Sequence, residues 1–228
     1  MRESRMSKRS ILLVHGAWHG GWTWRPLLPH LHEAGFDPFV VDLPSAGAGG
    51  DLAADVRVVQ QALAALPGPT IVVGHSYGGV VISEACAEQP VVSHLVYLCA
   101  FQLDVGESLM GMLNGKPLPW IAVDEATGLC TVPEPTPVFY ADVAPPLAAE
   151  FGARLRSQSL VSFMTSLTQA AWRAIPSTYI ACTEDRAIPY PAQQAMAARA
   201  RTVHTLRSSH SPFASQPAEV ARILAGID

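Results

Sequence analysis

Ser76 is the residue of this chain best placed to do chemistry. It sits in Gly74-His75-Ser76-Tyr77-Gly78, after the β-branched run Thr70-Ile71-Val72-Val73 and before the helical stretch Gly79-Val80-Val81-Ile82-Ser83-Glu84-Ala85-Cys86-Ala87. G-x-S-x-G between a buried strand and a helix is a nucleophile elbow. The turn is so tight that Gly74 and Gly78 leave no room for a Cβ, and the serine is strained with its Oγ projecting above the sheet edge. A serine hydroxyl is a weak nucleophile at neutral pH, so it needs a base to take its proton and a third group to orient that base. In this architecture the acid and then the histidine follow the serine along the chain.

Eight histidines compete for the role of base. His15 and His19 lie in the first loop, His30 and His32 in or beside the first helix. His94 opens a strand ahead of any plausible acid, and His204 is inside the last strand. His75 points away from the nucleophile by alternation, which reads as structural. His210 alone follows the last strand in a polar loop, Arg207-Ser208-Ser209-His210-Ser211-Pro212, where the base must sit. For the acid, Asp185 follows the strand at 178–182, at a carboxyl end where open α/β sheets carry active-site residues. Glu184 is one residue out of phase. Asp104, after the strand at 94–100, is the rival, because the acid can move one strand over. Asp42 reads as an anchor for loops. Acyl transfer also needs two donors for the developing oxyanion. One is the Tyr77 N–H and the other the Ala17 N–H, in the loop His15-Gly16-Ala17-Trp18-His19-Gly20-Gly21-Trp22, where Gly16 permits close approach.

The elements that must position these groups alternate between short β-branched runs and helical patterns, the signature of a mostly parallel sheet with crossover helices. Strands are predicted at 10–14, 37–41, 70–73, 94–100, 178–182 and 202–206. Helices are predicted at 24–34, at 51–66 with Asp51 as cap, and at 217–227. The alternation breaks down from Gln102 to about Ala174, where seven prolines crowd the first part and 148–155 and 159–168 read as short helices. The residues Met110, Trp120, Phe139, Phe151 and Phe163 argue against disorder there. The stretch is expected to be a cap (102–174) over a core formed by 1–101 and 175–228.

A chain of 228 residues with 49% hydrophobic and 15% charged residues is long enough for one large core and too apolar for disorder. A net charge of −4 without a basic cluster gives no reason to expect nucleic acid or an anionic membrane as partner. Arg2, Arg5, Lys8 and Arg9 read as a solvated tail, since no signal-type apolar run follows them. No segment approaches the roughly 20 apolar residues of a membrane span. Cys86, Cys99, Cys130 and Cys182 show no CxxC pairing, which fits reduced thiols in a cytoplasmic protein. No HExxH occurs, and His15 and His19 share a Gly-rich loop rather than a helix face, so neither metal nor cofactor is expected.

The motifs HGAWHGGWTW, VVGHSYGG, LVYLCAF, YIACTEDRAIP and SSHSPF span most of the chain in order, and with them the chain resembles the α/β-hydrolase superfamily. It looks closest to the branch of plant methylesterases and hydroxynitrile lyases and to small bacterial serine esterases. The resemblance implies an α/β-hydrolase fold with a helical cap after the strand at 94–100, and a Ser76–His210–Asp185 triad with Ala17 and Tyr77 as oxyanion donors. Cyanohydrin-cleaving members carry a Thr after the first-loop His and a Lys after the catalytic His; here those positions are Gly16 and Ser211. Ester hydrolysis is therefore favoured over C–C cleavage. The expected activity is that of a cofactor-free serine carboxylesterase acting through an acyl-enzyme. Its substrates would be small to medium hydrophobic or aryl esters, bound by Trp18, Tyr77, Trp120, Phe139, Phe163 and Met164. The same machinery could serve a lactone, a thioester or a C–C bond, and a ligand-binding protein without turnover is the alternative from another class. Oligomeric state is not legible.

Overall fold

The structure, a computed structural model, describes residues 9–47 and 49–227; Arg2, Arg5 and Lys8 lie outside it. The chain opens with β1 (Arg9–Val14), a short 3-10 turn (Gly21–Trp24), α1 (Leu28–Glu33) and β2 (Phe36–Val40). It continues through α2 (Leu52–Ala64), β3 (Thr70–His75), α3 (Gly78–Ala85) and β4 (Val92–Leu98). Between β4 and the next long strand come α4 (Leu109–Met112), β5 (Ala122–Asp124), β6 (Leu129–Thr131) and α5 (Pro135–Phe139). These are followed by α6 (Pro145–Ala153), β7 (Gln158–Ser159), α7 (Val161–Met164) and a 3-10 turn (Ala171–Arg173). The chain closes with β8 (Ser177–Cys182), α8 (Tyr190–Ala197), β9 (Thr202–Leu206), α9 (Pro212–Ser215) and α10 (Pro217–Ala225).

Six strands form one sheet in the order β2-β1-β3-β4-β8-β9, every pair parallel. The chain runs outward from β1 to β2, then returns to lay β3 on the other side of β1. That reversal opens a crevice at the carboxyl ends of β1 and β3, the place where such sheets bind ligands. Val14 is in register with Gly74, so the loop after β1 and the elbow after β3 meet at one height. β1, β3 and β8 are buried almost throughout, as strands covered by helices on both faces must be. Pro38 is tolerated because β2 is an edge strand.

Several boundaries differ from the sequence reading for local reasons. The helix expected at 24–34 is only Leu28–Glu33, with a 3-10 turn before it. The strand expected at 94–100 begins at Val92 and stops at Leu98, because Cys99 takes φ 36. Asp51 does cap α2, its side chain accepting the Ala54 N–H at 2.8 Å. The stretch after β4 contains short helices together with a small antiparallel sheet, β5-β6-β7. Strands of two or three residues are too short for an alternation to register in the sequence.

The elbow depends on helix α3 lying almost against the backbone of β1. A Cβ on Gly78 would stand 2.5 Å from the Val14 carbonyl oxygen and 2.7 Å from that of His15. Backbone atoms cannot yield as a flexible side chain could. Gly78→Ala should therefore lower stability by about 1–3 kcal/mol or more, read as a fall in the urea midpoint. Gly68→Ala, which meets open space, should move it by no more than about 1 kcal/mol. Equal midpoints for the two variants would refute the close approach.

Candidate active site

Ser76 is the first residue after β3 and holds φ 53, a left-handed backbone that only surrounding structure can enforce on a residue with a side chain. Its carbonyl accepts the Gly79 N–H at 3.0 Å and the Phe101 N–H at 3.1 Å, which locks the turn. Its side chain lies on the wall of a small apolar cavity of about 30 Å³. Ala17, Trp18 and Tyr77 line that cavity from the core, and Leu109, Leu113, Trp120, Phe139 and Phe163 line it from the stretch after β4. Met164, expected in the lining, is 59% exposed instead. α7 is a single turn, so when Phe163 faces inward its neighbour is carried round to solvent.

His210 and Asp185 come together from the loops after β9 and β8. His210 Nδ1 lies 2.7 Å from Asp185 Oδ2, both side chains buried. A carboxylate can only accept, so Nδ1 carries the proton and Nε2 is left with its lone pair. Asp185 is itself held firmly. Its Oδ1 accepts the N–H groups of Ala187 (2.7 Å) and Ile188 (2.9 Å), and its Oδ2 also accepts Gln193 Nε2–H at 3.0 Å. The other candidates for the acid are committed elsewhere. Asp104 pairs with Arg173 at 2.7 Å and Glu184 with Arg207 at 2.7 Å, while Asp42 accepts the Gly21 N–H as a loop anchor.

His210 is tethered beside the elbow through its backbone. His75 Nε2–H donates to the His210 carbonyl at 2.8 Å, and the two rings lie 4.6 Å apart. The Cys99 thiol points at the same carbonyl at 3.5 Å. His75, Cys99 and His210 are the one group of potential metal ligands this close together among the described residues. The shared carbonyl gives His75 and Cys99 a structural task instead. Among the described residues neither the Ser76 hydroxyl nor His210 Nε2 is engaged in a protein hydrogen bond. In enzymes resting without substrate, such a contact is commonly long and tightens when substrate arrives.

Facing Ser76 across the crevice is the loop after β1. A Cβ on Gly16 would stand 2.9 Å from both the Ser76 Cβ and His75 Nδ1, so no side chain fits there. Neither the Ala17 N–H nor the Tyr77 N–H donates to a protein acceptor among the described residues, although both residues are buried. Unpaired buried N–H groups are rare, and both residues line the same cavity as Ser76. His15 and His19 shape this loop. His15 Nδ1–H donates to the Gly16 carbonyl at 2.8 Å while its Nε2 accepts the Leu43 N–H. His19 Nδ1–H donates to the Ala17 carbonyl at 2.7 Å while its Nε2 accepts from the Tyr140 hydroxyl.

The sequence reading missed the residues that brace these loops. Asp142 accepts Ser208 Oγ–H at 2.8 Å and Ser209 N–H at 2.9 Å, along with the Ser209 hydroxyl, just before His210. Gln158 accepts the Trp18 N–H at 3.1 Å, and Arg156 N–H donates to the Trp18 carbonyl at 2.9 Å. Phe139, expected in the cavity lining, also lies against the His210 ring at 5.6 Å. Asp142, Gln158 and Arg156 sit in no motif; their only mark in the sequence is polarity within an otherwise apolar stretch.

The sequence profile of the alpha/beta hydrolase family matches residues 11–223. A pyrethroid hydrolase of Sphingobium wenxiniae is 31% identical over 96% of this chain and 88% of its own. Methylesterase 1 of Arabidopsis thaliana is 28% identical over 83% of each chain. A solved pyrethroid hydrolase structure superposes with a TM-score of 0.82 at 28% identity, covering 95% of this chain and 96% of that one.

Burial lowers the pKa of His15 to about 4 and of His19 to about 3, against 6.5 for a free histidine. His75 is lowered for the same reason. These groups bind protons in the unfolded chain before they do in the folded one. Their contribution is fully present above pH 6.5 and is lost as pH falls from there toward 4 and 3, at roughly 1 kcal/mol per pH unit for each group. The urea midpoint should therefore drop between pH 6.5 and 4.5, and His19→Gln should flatten that slope. A slope unchanged in His19→Gln would show that this imidazole already titrates normally in the fold.

Proposed function

From the premise that this chain belongs to the alpha/beta hydrolase family, we propose that it is a serine carboxylesterase working through an acyl-enzyme. The observation that carries the reading is Ser76, held at φ 53 on the wall of a cavity also lined by Ala17 and Tyr77, whose N–H groups have no protein acceptor among the described residues. His210 Nε2 takes the Ser76 proton as Oγ attacks the ester carbonyl, and Asp185 fixes the ring and compensates the imidazolium that forms. The carbonyl oxygen, now negative, is received by the Ala17 and Tyr77 N–H groups. His210 returns the proton to the departing alcohol, and the acyl group stays on Ser76. The base then activates a water that releases the acid. The absence of room for any side chain at Gly16 favours ester hydrolysis over chemistry that needs a hydroxyl there.

The substrate class follows from the cavity. Its walls are aromatic and aliphatic, which selects small to medium hydrophobic or aryl esters. Esterase relatives named for methyl esters and pyrethroids support that class. The cavity as it stands is small, about 30 Å³, and we propose that a wall moves to admit an ester. We assign the movement to residues 109–121 of the cap formed by 102–174, over the core of 1–101 and 175–228. Among the described residues every backbone hydrogen bond donated from 109–121 stays within 108–121, whereas 130–159 is bonded into the core loops. Four buried, unpaired cysteines support a reducing, cytoplasmic setting.

The test is hydrolysis of p-nitrophenyl acetate, butyrate and octanoate by the parent and by Ser76→Ala. The parent should turn over, and the variant should lose about 10⁴-fold or more in kcat. The chain-length preference reports how far the cavity opens. Equal, feeble rates in the two proteins would sink the serine-esterase reading.

A further inference from the structure

The two N–H groups assigned to the oxyanion belong to loops far apart in the chain, and one buried line of hydrogen bonds connects them. The Tyr77 hydroxyl donates to Asp55 Oδ2 at 2.7 Å, and Asp55 Oδ1 accepts the Ser45 N–H at 2.9 Å. Ser45 Oγ accepts from Gln158 Nε2 at 2.8 Å, and Gln158 Oε1 accepts the Trp18 N–H at 3.1 Å. Tyr77, Asp55, Ser45 and Gln158 are all 0% exposed. The orientation of the Gln158 amide is fixed by its partners. The Trp18 N–H can only donate, so Oε1 must face it. The Ser162 hydroxyl donates to the Ser159 carbonyl at 2.7 Å and so must accept from Nε2, 2.9 Å away. Gln158 thus uses its acceptor and both donors with no alternative arrangement.

Trp18 shows why this connection matters. It holds φ 65, a left-handed conformation that costs a bulky residue about 1–3 kcal/mol unless its surroundings over-determine it. Here they do. Its N–H goes to Gln158, its carbonyl accepts from Arg156, and its Nε1–H donates to the Cys130 carbonyl at 3.0 Å. The Ala17 carbonyl, in the same peptide unit as the Trp18 N–H, is held by His19. Both ends of that peptide are pinned, and the Gly16 carbonyl, in the same peptide unit as the Ala17 N–H, is held by His15 Nδ1–H at 2.8 Å, so the Ala17 N–H lies between two fixed peptide planes joined at the Ala17 Cα.

We propose that the buried line Tyr77–Asp55–Ser45–Gln158–Trp18 sets the spacing of the two oxyanion donors, and that Gln158, contributed by the cap, is a positioning residue for catalysis. The inference rests on the serine-esterase reading above. Gln158 touches no reacting atom; it acts through the Ala17–Trp18 peptide. A displacement of about 1 Å at such a donor is enough to cost about 100-fold in rate.

The experiment compares the parent with Gln158→Met, which keeps the volume and removes the hydrogen bonds, and Gln158→Glu, which keeps an acceptor for the Trp18 N–H. Steady-state hydrolysis of p-nitrophenyl butyrate is measured beside the affinity for n-butylboronic acid, read by tryptophan fluorescence. The boronic acid forms a tetrahedral adduct on a serine hydroxyl and so mimics the transition state. Gln158→Met should lose about 10–100-fold in kcat with KM within about twofold, and boronate affinity should fall in step. Gln158→Glu should recover to within about fivefold of the parent. Should Gln158→Met fail to fold, Ser45→Ala cuts the same line at its next link and should show a smaller loss of the same kind. Parental kcat and boronate affinity in the folded variants would overturn the proposal, as would a rise in KM alone, which would make Gln158 a pocket residue. A parent no faster than Ser76→Ala counts against the esterase reading separately, since boronate affinity still reads the line without turnover. A parent that binds no boronate overturns both.

Discussion

Three of the five non-glycine residues with left-handed backbone among the described residues lie beyond the ends of three adjacent strands. Trp18 follows β1 with φ 65, Ser76 follows β3 with φ 53, and Cys99 follows β4 with φ 36. Each such residue costs about 1–3 kcal/mol, against a typical total stability of about 5–15 kcal/mol for a whole domain. The sheet must therefore hold all three in place, and its buried parallel strands do so from below. Strain at Ser76 lifts the hydroxyl out of the turn and leaves the next N–H unpaired. Strain at Trp18 turns the opposite loop toward the same point. At Cys99 it ends β4 early and sets the thiol against the His210 carbonyl. These three thus lie at the strand ends around the crevice; the other two, Glu88 and Asn114, lie elsewhere.

The core strands alone do not hold this arrangement. Both loops that flank Ser76 are also braced from the stretch between β4 and β8: Asp142 on the loop of His210, and Gln158, Arg156 and Tyr140 on the loop of Ala17. A cover that both braces the site and closes it faces a conflict, because opening the cavity would loosen the site. The hydrogen-bond pattern resolves it by dividing the stretch. Residues 130–159 carry the bonds to the core loops, while 109–121 contribute Leu109, Leu113 and Trp120 to the cavity and bond only to themselves. On the proposal made above, entry uses the second part without disturbing the first.

The sheet was readable because its strands are short β-branched runs separated by helical periods, and because each functional residue sits at a strand end marked by Gly, Ser or a polar loop. Asp185 and His210 stand out by their places in the loops after strands, Asp185 with Asp104 as its rival. The cap was legible only as an interruption. Its strands span two or three residues, its helices one or two turns, and neither length expresses a period. Met164 was misplaced for the same reason: in one turn of helix, adjacent apolar residues carry no sign of which faces inward. Gln158 and Asp142 act through contacts more than 60 positions away in the chain, and no local pattern announces a partner at that distance.

Histidine identity shows most plainly what the fold adds to the sequence. Four buried imidazoles crowd the crevice, and the residue type is the same in each. Three of them donate to a peptide carbonyl: His15 to Gly16, His19 to Ala17 and His75 to His210 itself, at 2.7–2.8 Å. A neutral carbonyl fixes a tautomer but offers little to an added positive charge, and burial keeps all three well below the ordinary histidine range. His210 alone donates to a carboxylate, at 2.7 Å. Its carboxylate partner is in hydrogen-bond contact, whereas the carboxylate nearest His15, Asp42, stands 3.9 Å from its Nε2. The partner distinguishes the rings: three imidazoles are rigid pegs that hold loops, and the carboxylate of Asp185 is reserved for the fourth, the base of the mechanism proposed above.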